Sequence, residues 1–504
     1  MTQKYKNGES VIAPGTVIIT AAGEVSDIKK CVKAALKQQA SDIVYVDMSR
    51  SAFSLGGSSF AQMTGAVGAD TPTIDDAKYF ATAFEAVQKL VAEGKVMAGH
   101  DISAGGLVTA LLEMCYTNNK TGMNLSLDCL GESDIVKLLF SERPSLVLQV
   151  ACGESIKQEL AAMGVDAQVI GQVTLDRKFN VAASGVEFEL LVDALRDEWF
   201  KTSYLLDRRQ SGTEKAAERY ANYKSQPLSY KFPEGFTGSY AGSGIDPKRR
   251  TASGVKAAII REKGVNGDRE MAWCMYLAGM DVKDVQMTDL IAGRETLEDV
   301  NMIVFVGGFS NSDVLGSAKG WAGSFLFNEK AKAALDNFYA RPDTLSLGVC
   351  NGCQLMIELG LITPADALKP KMLHNDSHKF ESGFVGVSVE PTNSVMLSSL
   401  SGSSLGVWIA HGEGKFSFPY EESKYNIALK YNYHGYPANP NGSQFDTAGV
   451  CSADGRHLAM MPHLERACKP WNWAYYPENR SADEVTPWIE AFVNARKWIE
   501  QNAK

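Results

Sequence analysis

The sequence predicts two folded units of different class. An α+β unit spans residues 1–206 and a doubly wound α/β unit spans 254–504, with a linker over 207–253 between them. Three observations lead there. At 504 residues the chain is too long for one ordinary core. From 207 it loses apolar periodicity and gathers Pro227, Pro233, Pro247 and the Gly-rich stretch 235–244, so the linker is expected to cross a domain surface. After 254, short apolar runs alternate with helical patterns, and the unusual residues fall at strand ends, as in a parallel sheet covered on both faces.

In the first unit, Thr16–Thr20 and Asp42–Val46 are rich in strand formers, and Ile28–Lys37 and Ala77–Val91 carry helical periodicity. A Ser/Gly stretch at 54–59 separates them. Ser145–Val150 and Gln168–Val173 read as further strands. His100-Asp101-x-Ser103-x-Gly105-Gly106 opens a helix over Leu107–Cys115. A carboxylate there suits Mg²⁺, and a hydroxyl with glycine N–H groups at a helix start suits phosphate. The structural alternative is a helix N-cap by Ser103.

The second unit begins with the strand Val255–Ile260, the loop Arg261–Asn266 and a helix near Arg269–Ala278. Strands follow at Asp281–Gln286 and Met302–Val306, then a helix over Ala322–Tyr339, the strand Leu345–Val349 and a later strand at Gly406–Ala410. Its reactive residues gather at strand ends. Cys350 lies where Leu345–Val349 turns into the helical Leu355–Leu359 stretch, flanked by Gly348 and Gly352. A nucleophile on such a turn is lifted from the sheet, and the helix N-terminus beneath it favours a thiolate. His463 and Glu465 are two residues apart, so on an extended segment they point to the same side. His463 is then the base for Cys350, and Glu465 orients its imidazole. Gly307-Gly308-Phe309 ends a strand beside Cys350, and the N–H groups of Gly308 and Asn351 form an expected oxyanion hole. His411-Gly412-Glu413-Gly414 lines either the pocket of this site or a domain interface. Cys350 and Cys353 also form C-x-x-C, but a redox motif would follow the first strand of a small domain, and a zinc site needs a second close pair. Cys353 is expected to be a small buried residue on the first helical turn.

Composition narrows the function classes. Apolar residues make up 45% and charged residues 22%, as in soluble globular proteins. A net charge of −9 gives no reason to expect a nucleic-acid partner. Nine cysteines without framework spacing fit reduced thiols, so a cytoplasmic location is expected. The apolar run near the N-terminus is broken by Pro14 and Gly15, which argues against a signal peptide. No run approaches the roughly 18 residues of a membrane span.

Gly348-x-Cys350-x-Gly352-x-Gln354, with Pro462-His463-x-Glu465-Arg466, resembles the class I (triad) glutamine amidotransferases at every fixed position. Over nearly the whole chain the motifs resemble the phosphoribosylformylglycinamidine synthases. Pro14-Gly15-Thr16 with Ala21-Ala22-Gly23 is similar to the start of their last synthetase-type subdomain. Gly99–Gly106, Arg261–Asn266, Gly307–Ser310, Asn375-x-Ser377-x-x-Phe380-Glu381, His411–Gly414 and Tyr436–Ser443 match in order and spacing. The resemblance implies an aminoimidazole ribonucleotide synthetase-like C-terminal subdomain followed by a class I glutaminase domain. It implies an ATP-dependent C–N ligase of purine biosynthesis with Cys350, His463 and Glu465 as its triad. It implies Asp101 as a Mg²⁺ ligand and Ser103 as a contact to an auxiliary ATP or ADP. Glutamine would be the substrate of this chain. Formylglycinamide ribonucleotide and its ATP would bind largely in a part of the longer family enzyme that this chain lacks. Ser382 and Gly383 stand where many members carry an arginine after Glu381, which puts that contact in doubt. Two rival readings remain: a triad amidotransferase of another pathway, and a non-catalytic nucleotide-binding half that docks onto a partner.

Overall fold

A computed structural model describes residues 2–12, 18–363 and 366–503. Pro14-Gly15-Thr16 lies outside the described residues, and residues 18–20 of the expected first strand form no element. The chain divides into two compact units, Met1–Asp197 and Glu198–Lys504.

The first unit is built on Asp42–Asp47 (β1), Val96–Asp101 (β2), Gly122–Ser126 (β3), Ser145–Val150 (β4), Ala167–Thr174 (β5), Lys178–Ala183 (β6) and Val186–Leu191 (β7). They form one sheet in the order β2-β4-β1-β5-β3-β6-β7. Only β3 and β6 pair in parallel. Alternation along β1 sends Val44 and Val46 to one face and Ile43 and Tyr45 to the other. Helices Ala77–Ala92 and Gly153–Ala162 cover the first face, and Gly106–Tyr116 and Ile135–Phe140 cover the second. A hairpin of Thr2–Lys4 and Ser10–Ile12 precedes the sheet.

The helix expected over Ile28–Lys37 is not formed. A single 3₁₀ turn, Ile28–Lys30, is followed by irregular chain. Long-range bonds win over helical ones there. The buried Gln149 amide accepts from the Lys37 N–H at 2.8 Å and donates to the Lys37 carbonyl at 3.0 Å. The Lys33 carbonyl accepts from Gly99 N–H. A backbone drawn out to these partners has no i→i−4 bonds to give.

The stretch expected as a linker holds the end of one helix, Val192–Gln210, and the whole of another, Gly212–Asn222. The remainder is tied to the second unit. Lys231 and Ser404 exchange backbone bonds at 2.8 and 2.9 Å, and Tyr230 and Phe232 stack edge-on against Trp473. Its apolar contacts come from aromatics at irregular spacing, which no periodicity reveals.

The second unit adds Lys256–Arg261 (β8), Asp281–Gln286 (β9), Met302–Phe305 (β10), Leu345–Val349 (β11), Glu381–Val389 (β12), Ser404–His411 (β13), Ile427–Tyr431 (β14), Thr447–Cys451 (β15) and His457–Met460 (β16). The sheet order is β9-β8-β10-β11-β16-β15-β14-β12-β13. The first five strands are parallel, as the doubly wound reading requires; β10, β11 and β16 are buried throughout and β8 nearly so, while the edge strand β9 buries only Val285. The last four extend the sheet in antiparallel fashion. The helix expected over Ala322–Tyr339 is two helices, Lys319–Leu326 and Glu329–Ala340. Asn328 breaks them apart because its side chain caps the second, accepting from Ala331 N–H at 2.9 Å.

Candidate active site

Cys350 follows β11 and precedes the helix Asn351–Glu358. Its φ is 52° and ψ −107°, a strained setting for a residue with a side chain. Packing over-determines it. Cys350 N–H donates to the Met460 carbonyl at 3.0 Å, and its carbonyl accepts from Gln354 N–H at 3.0 Å. The two flanking glycines are required by contact. A Cβ at Gly348 would lie 2.6 Å from the Met356 sulfur, and one at Gly352 would strike the Phe305 carbonyl. The thiol is buried, 3.5 Å from the Ala410 carbonyl. Cys353 is fully buried one turn on, and burial pushes its thiol well above the usual range.

His463 is fixed at both ends. Its N–H donates to the Trp408 carbonyl at 2.8 Å, and its Nδ1 lies 2.6 Å from Glu465 Oε1. Both side chains are at most 2% exposed. Burial pulls the imidazole pKa down, but the Glu465 carboxylate and the hydrogen bond with Cys350 lift it further, to about 9. The expectation that His463 and Glu465 share an extended segment is corrected: Leu464–Arg466 is a 3₁₀ turn. The turn, not strand alternation, returns Glu465 to His463. Gly307 closes over the pair, since a Cβ there would lie 2.7 Å from His463 Cε1 and 3.3 Å from Cys350 Cβ.

The loop after β10 is clamped to the loop after β8. Asn266 N–H donates to Gly307, and Phe309 N–H donates to Gly264, each at 2.9 Å. These bonds flank the Val265–Gly308 bridge, so Gly308 is the non-hydrogen-bonded member and its N–H points away from that partner. Gly308 has φ +126°, and a Cβ there would lie 2.6 Å from Val265 Cα. Asn351 Oδ1 accepts from Ser310 N–H at 3.1 Å, and its Nδ2 donates to Asp313 at 3.2 Å and Gln354 at 2.8 Å. That side chain binds the Gly307–Asp313 loop to the helix whose first N–H belongs to Asn351. Burial raises the Asp313 carboxyl pKa, opposed by Asn351 and reinforced by Glu413.

Sequence reasoning named Asn375 and Gln354 as motif positions but gave them no role in holding these groups. Asn375 Nδ2 donates to the His411 carbonyl at 2.7 Å, and Gln354 Nε2 donates to the Glu413 carbonyl. The His411–Gly414 segment thus belongs to the surroundings of Cys350. Ser382, where the resemblance calls for an arginine nearby, lines a cavity of about 540 Å³ beside His463 and Trp408. Glu381 is met by Arg219, 3.3 Å away, from the helix Gly212–Asn222.

In the first unit, Asp101 is exposed at the end of β2, and Ser103 is exposed on the following turn. Ser103 does not cap the helix, whose N-cap is Gly105 without a side-chain bond. No group of three or more metal-ligating side chains occurs among the described residues. The Gly105 N–H donates to Glu142 at 2.9 Å, and Ser59 N–H donates to the same carboxylate oxygen at 2.7 Å. Glu142 therefore already stands where an anion would sit. No helix among the described residues is long and apolar enough to cross a membrane.

Residues 254–499 match the family model of CobB/CobQ-like glutamine amidotransferase domains, and residues 42–184 match that of the AIR synthase related protein C-terminal domain. The chain is 40% identical to a probable phosphoribosylformylglycinamidine synthase, chloroplastic/mitochondrial, of Arabidopsis thaliana, over 98% of this chain and 37% of that protein. It is 37% identical to the human phosphoribosylformylglycinamidine synthase, over 97% of this chain and 39% of that one. It is also 37% identical to the probable enzyme of Caenorhabditis elegans, over 98% and 40%. The chain thus spans about two fifths of the length of the curated relatives it matches.

Proposed function

We propose that this chain is part of a phosphoribosylformylglycinamidine synthase, the enzyme it resembles over about two fifths of its relatives' length, and that it carries out the glutamine-hydrolysing step. One observation carries the reading: a strained, helix-seated Cys350 beside a buried His463 whose Nδ1 is 2.6 Å from Glu465.

Cys350 sulfur attacks the side-chain amide carbon of glutamine, and the thiol proton passes to His463. Glu465 fixes the ring tautomer and balances the imidazolium charge. The tetrahedral oxyanion takes hydrogen bonds from the N–H groups of Gly308 and Asn351. Losing one such donor costs roughly 10²–10³ in rate. His463 returns the proton to the leaving nitrogen, the C–N bond breaks, and ammonia departs from a γ-glutamyl thioester. Water, deprotonated by His463, then releases glutamate and restores the thiol. In the whole enzyme the ammonia would serve ATP-dependent amidination of formylglycinamide ribonucleotide, a C–N ligation of purine biosynthesis.

The AIR synthase-related unit is the proposed seat of an auxiliary ATP or ADP with Mg²⁺. Asp101 offers the exposed carboxylate that a phosphate-bridged Mg²⁺ uses, and Ser103 offers a hydroxyl beside it. The bound ion would screen phosphate charge. The Gly105 N–H fits phosphate only if Glu142 gives way. A reducing compartment suits nine free cysteines; we place the protein in the cytoplasm, while the Arabidopsis relative is named chloroplastic/mitochondrial.

The test is glutamate release from glutamine by the wild type and Cys350→Ala, with the rest of the family enzyme supplied. Loss of release in the variant, with ammonia-driven synthesis intact, is expected. Persistent release would end the assignment.

A further inference from the structure

The proposed mechanism leaves two buried histidines of the second unit unused: His457, whose Nδ1 lies 2.9 Å from the Ser346 hydroxyl, and His411. His411 ends β13 and is 2% exposed, and beyond the residue's own backbone neither ring nitrogen has a hydrogen-bond partner among the described residues. Buried polar atoms are rarely left so, and an orphan pair on one ring calls for a partner that is not protein. The backbone that carries the ring is held in place. Asn375 holds the segment from three sides: its Nδ2 donates to the His411 carbonyl, its N–H donates to Gly412, and its Oδ1 accepts from Gly414 N–H. The imidazole rests on Gly414, where a Cβ would lie 2.7 Å from Nδ1.

Its place is telling. Ala410, the preceding residue, puts its carbonyl 3.5 Å from the Cys350 sulfur. Burial, and then the charge on His463, hold the His411 pKa down to about 3, so the ring is neutral wherever the triad works. A neutral imidazole presents one N–H and one lone pair. Ammonia and water can each satisfy both. A ring of this kind also cannot protonate ammonia.

We propose that His411 is a positioning residue whose buried ring nitrogens hold one small neutral molecule, ammonia or water, one residue beyond the Ala410 carbonyl that touches the Cys350 sulfur. The proposal rests on the glutaminase reading above. If the molecule is the departing ammonia, His411 steers it off the triad unprotonated. If it is water, His411 supplies the nucleophile that hydrolyses the thioester.

The experiment compares wild type, His411→Phe and His411→Gln in two measurements. In the first, ¹⁵N-histidine labelling gives spectra of only seven side chains, and His411→Phe identifies the His411 signals. A neutral ring with a nuclear Overhauser contact to a bound water, displaced or not by added ammonia, is expected. A ring with no bound molecule overturns the proposal. In the second, single-turnover kinetics separate ammonia release from thioester hydrolysis. A held water predicts a normal burst, an accumulating thioester and about tenfold slower turnover in His411→Phe. Held ammonia predicts a burst slowed by a similar factor with no accumulation. Partial recovery in His411→Gln is expected in either case. Unchanged rates in a folded His411→Phe would leave His411 a packing residue and overturn the proposal. Cys350→Ala is the control that separates this outcome from failure of the glutaminase reading, since it must lose both phases.

Discussion

Gly307→Ala tests the closeness of the triad more sharply than removal of a triad member. The added methyl would lie 2.7 Å from His463 Cε1, against an ordinary contact of at least 3.4 Å. The ring would have to move by about 0.7 Å, and it has nowhere to go. Its backbone is tied to Trp408, its Nδ1 to Glu465, and it is 2% exposed. The φ of Gly307 is not in the left-handed region, so the backbone itself accepts alanine. A misplacement of about 1 Å in a catalytic group costs roughly 10²-fold. We expect glutaminase kcat/KM to fall roughly 30- to 100-fold, with overpacking lowering stability by about 1–3 kcal/mol. Coupled glutamate detection reads the first and urea unfolding the second. Activity within about threefold of wild type would refute the packing of Gly307 on His463.

Glu465→Gln removes the charge that helps lift the His463 pKa to about 9. A raised pKa stabilises the fold fully below the unfolded value of 6.5, and that contribution is lost as pH rises through about 9. Wild-type unfolding free energy should therefore decline across this window relative to the variant, and parallel pH curves would contradict the pairing. Asn351→Ala keeps the backbone N–H but frees the Gly307–Asp313 loop, and kcat should fall about tenfold with about 1–3 kcal/mol lost from stability. Gly352→Ala would drive a methyl into the Phe305 carbonyl, so little folded protein should be recovered; a soluble, active variant would refute that contact. In the first unit, Gln149→Leu removes the bonds its amide makes with both backbone groups of Lys37 and with the Ser41 hydroxyl, and the unfolding free energy of that unit should drop by about 2–4 kcal/mol.

The sequence carried the parallel strands well, because β8, β10 and β11 are continuous apolar runs that must be buried on both faces. Cys350 was legible for a related reason: glycines on both sides of a cysteine at a strand end admit few structures. The His463–Glu465 pairing was legible as a spacing, but not as a 3₁₀ turn, since both geometries bring residues i and i+2 to one site. Long-range polar contacts were invisible. Nothing around Ile28–Lys37 announces that Gln149 will straighten it. Nothing local marks Asn375 as the clamp on His411, or Glu142 as the anion already seated at Gly105. The helix Gly212–Asn222 was hidden by its polarity, for only Ala216 is buried along it.

The central claim is an activated Cys350 in a formed glutamine pocket. Mass spectrometry after treatment with a diazo-ketone analogue of glutamine tests it most directly, on wild type and Cys350→Ser. One adduct on Cys350, absent from the variant, is predicted, with Cys353 untouched because burial holds its thiol protonated. Equal labelling of Cys353 and the other thiols, or an adduct that survives in Cys350→Ser, would contradict it.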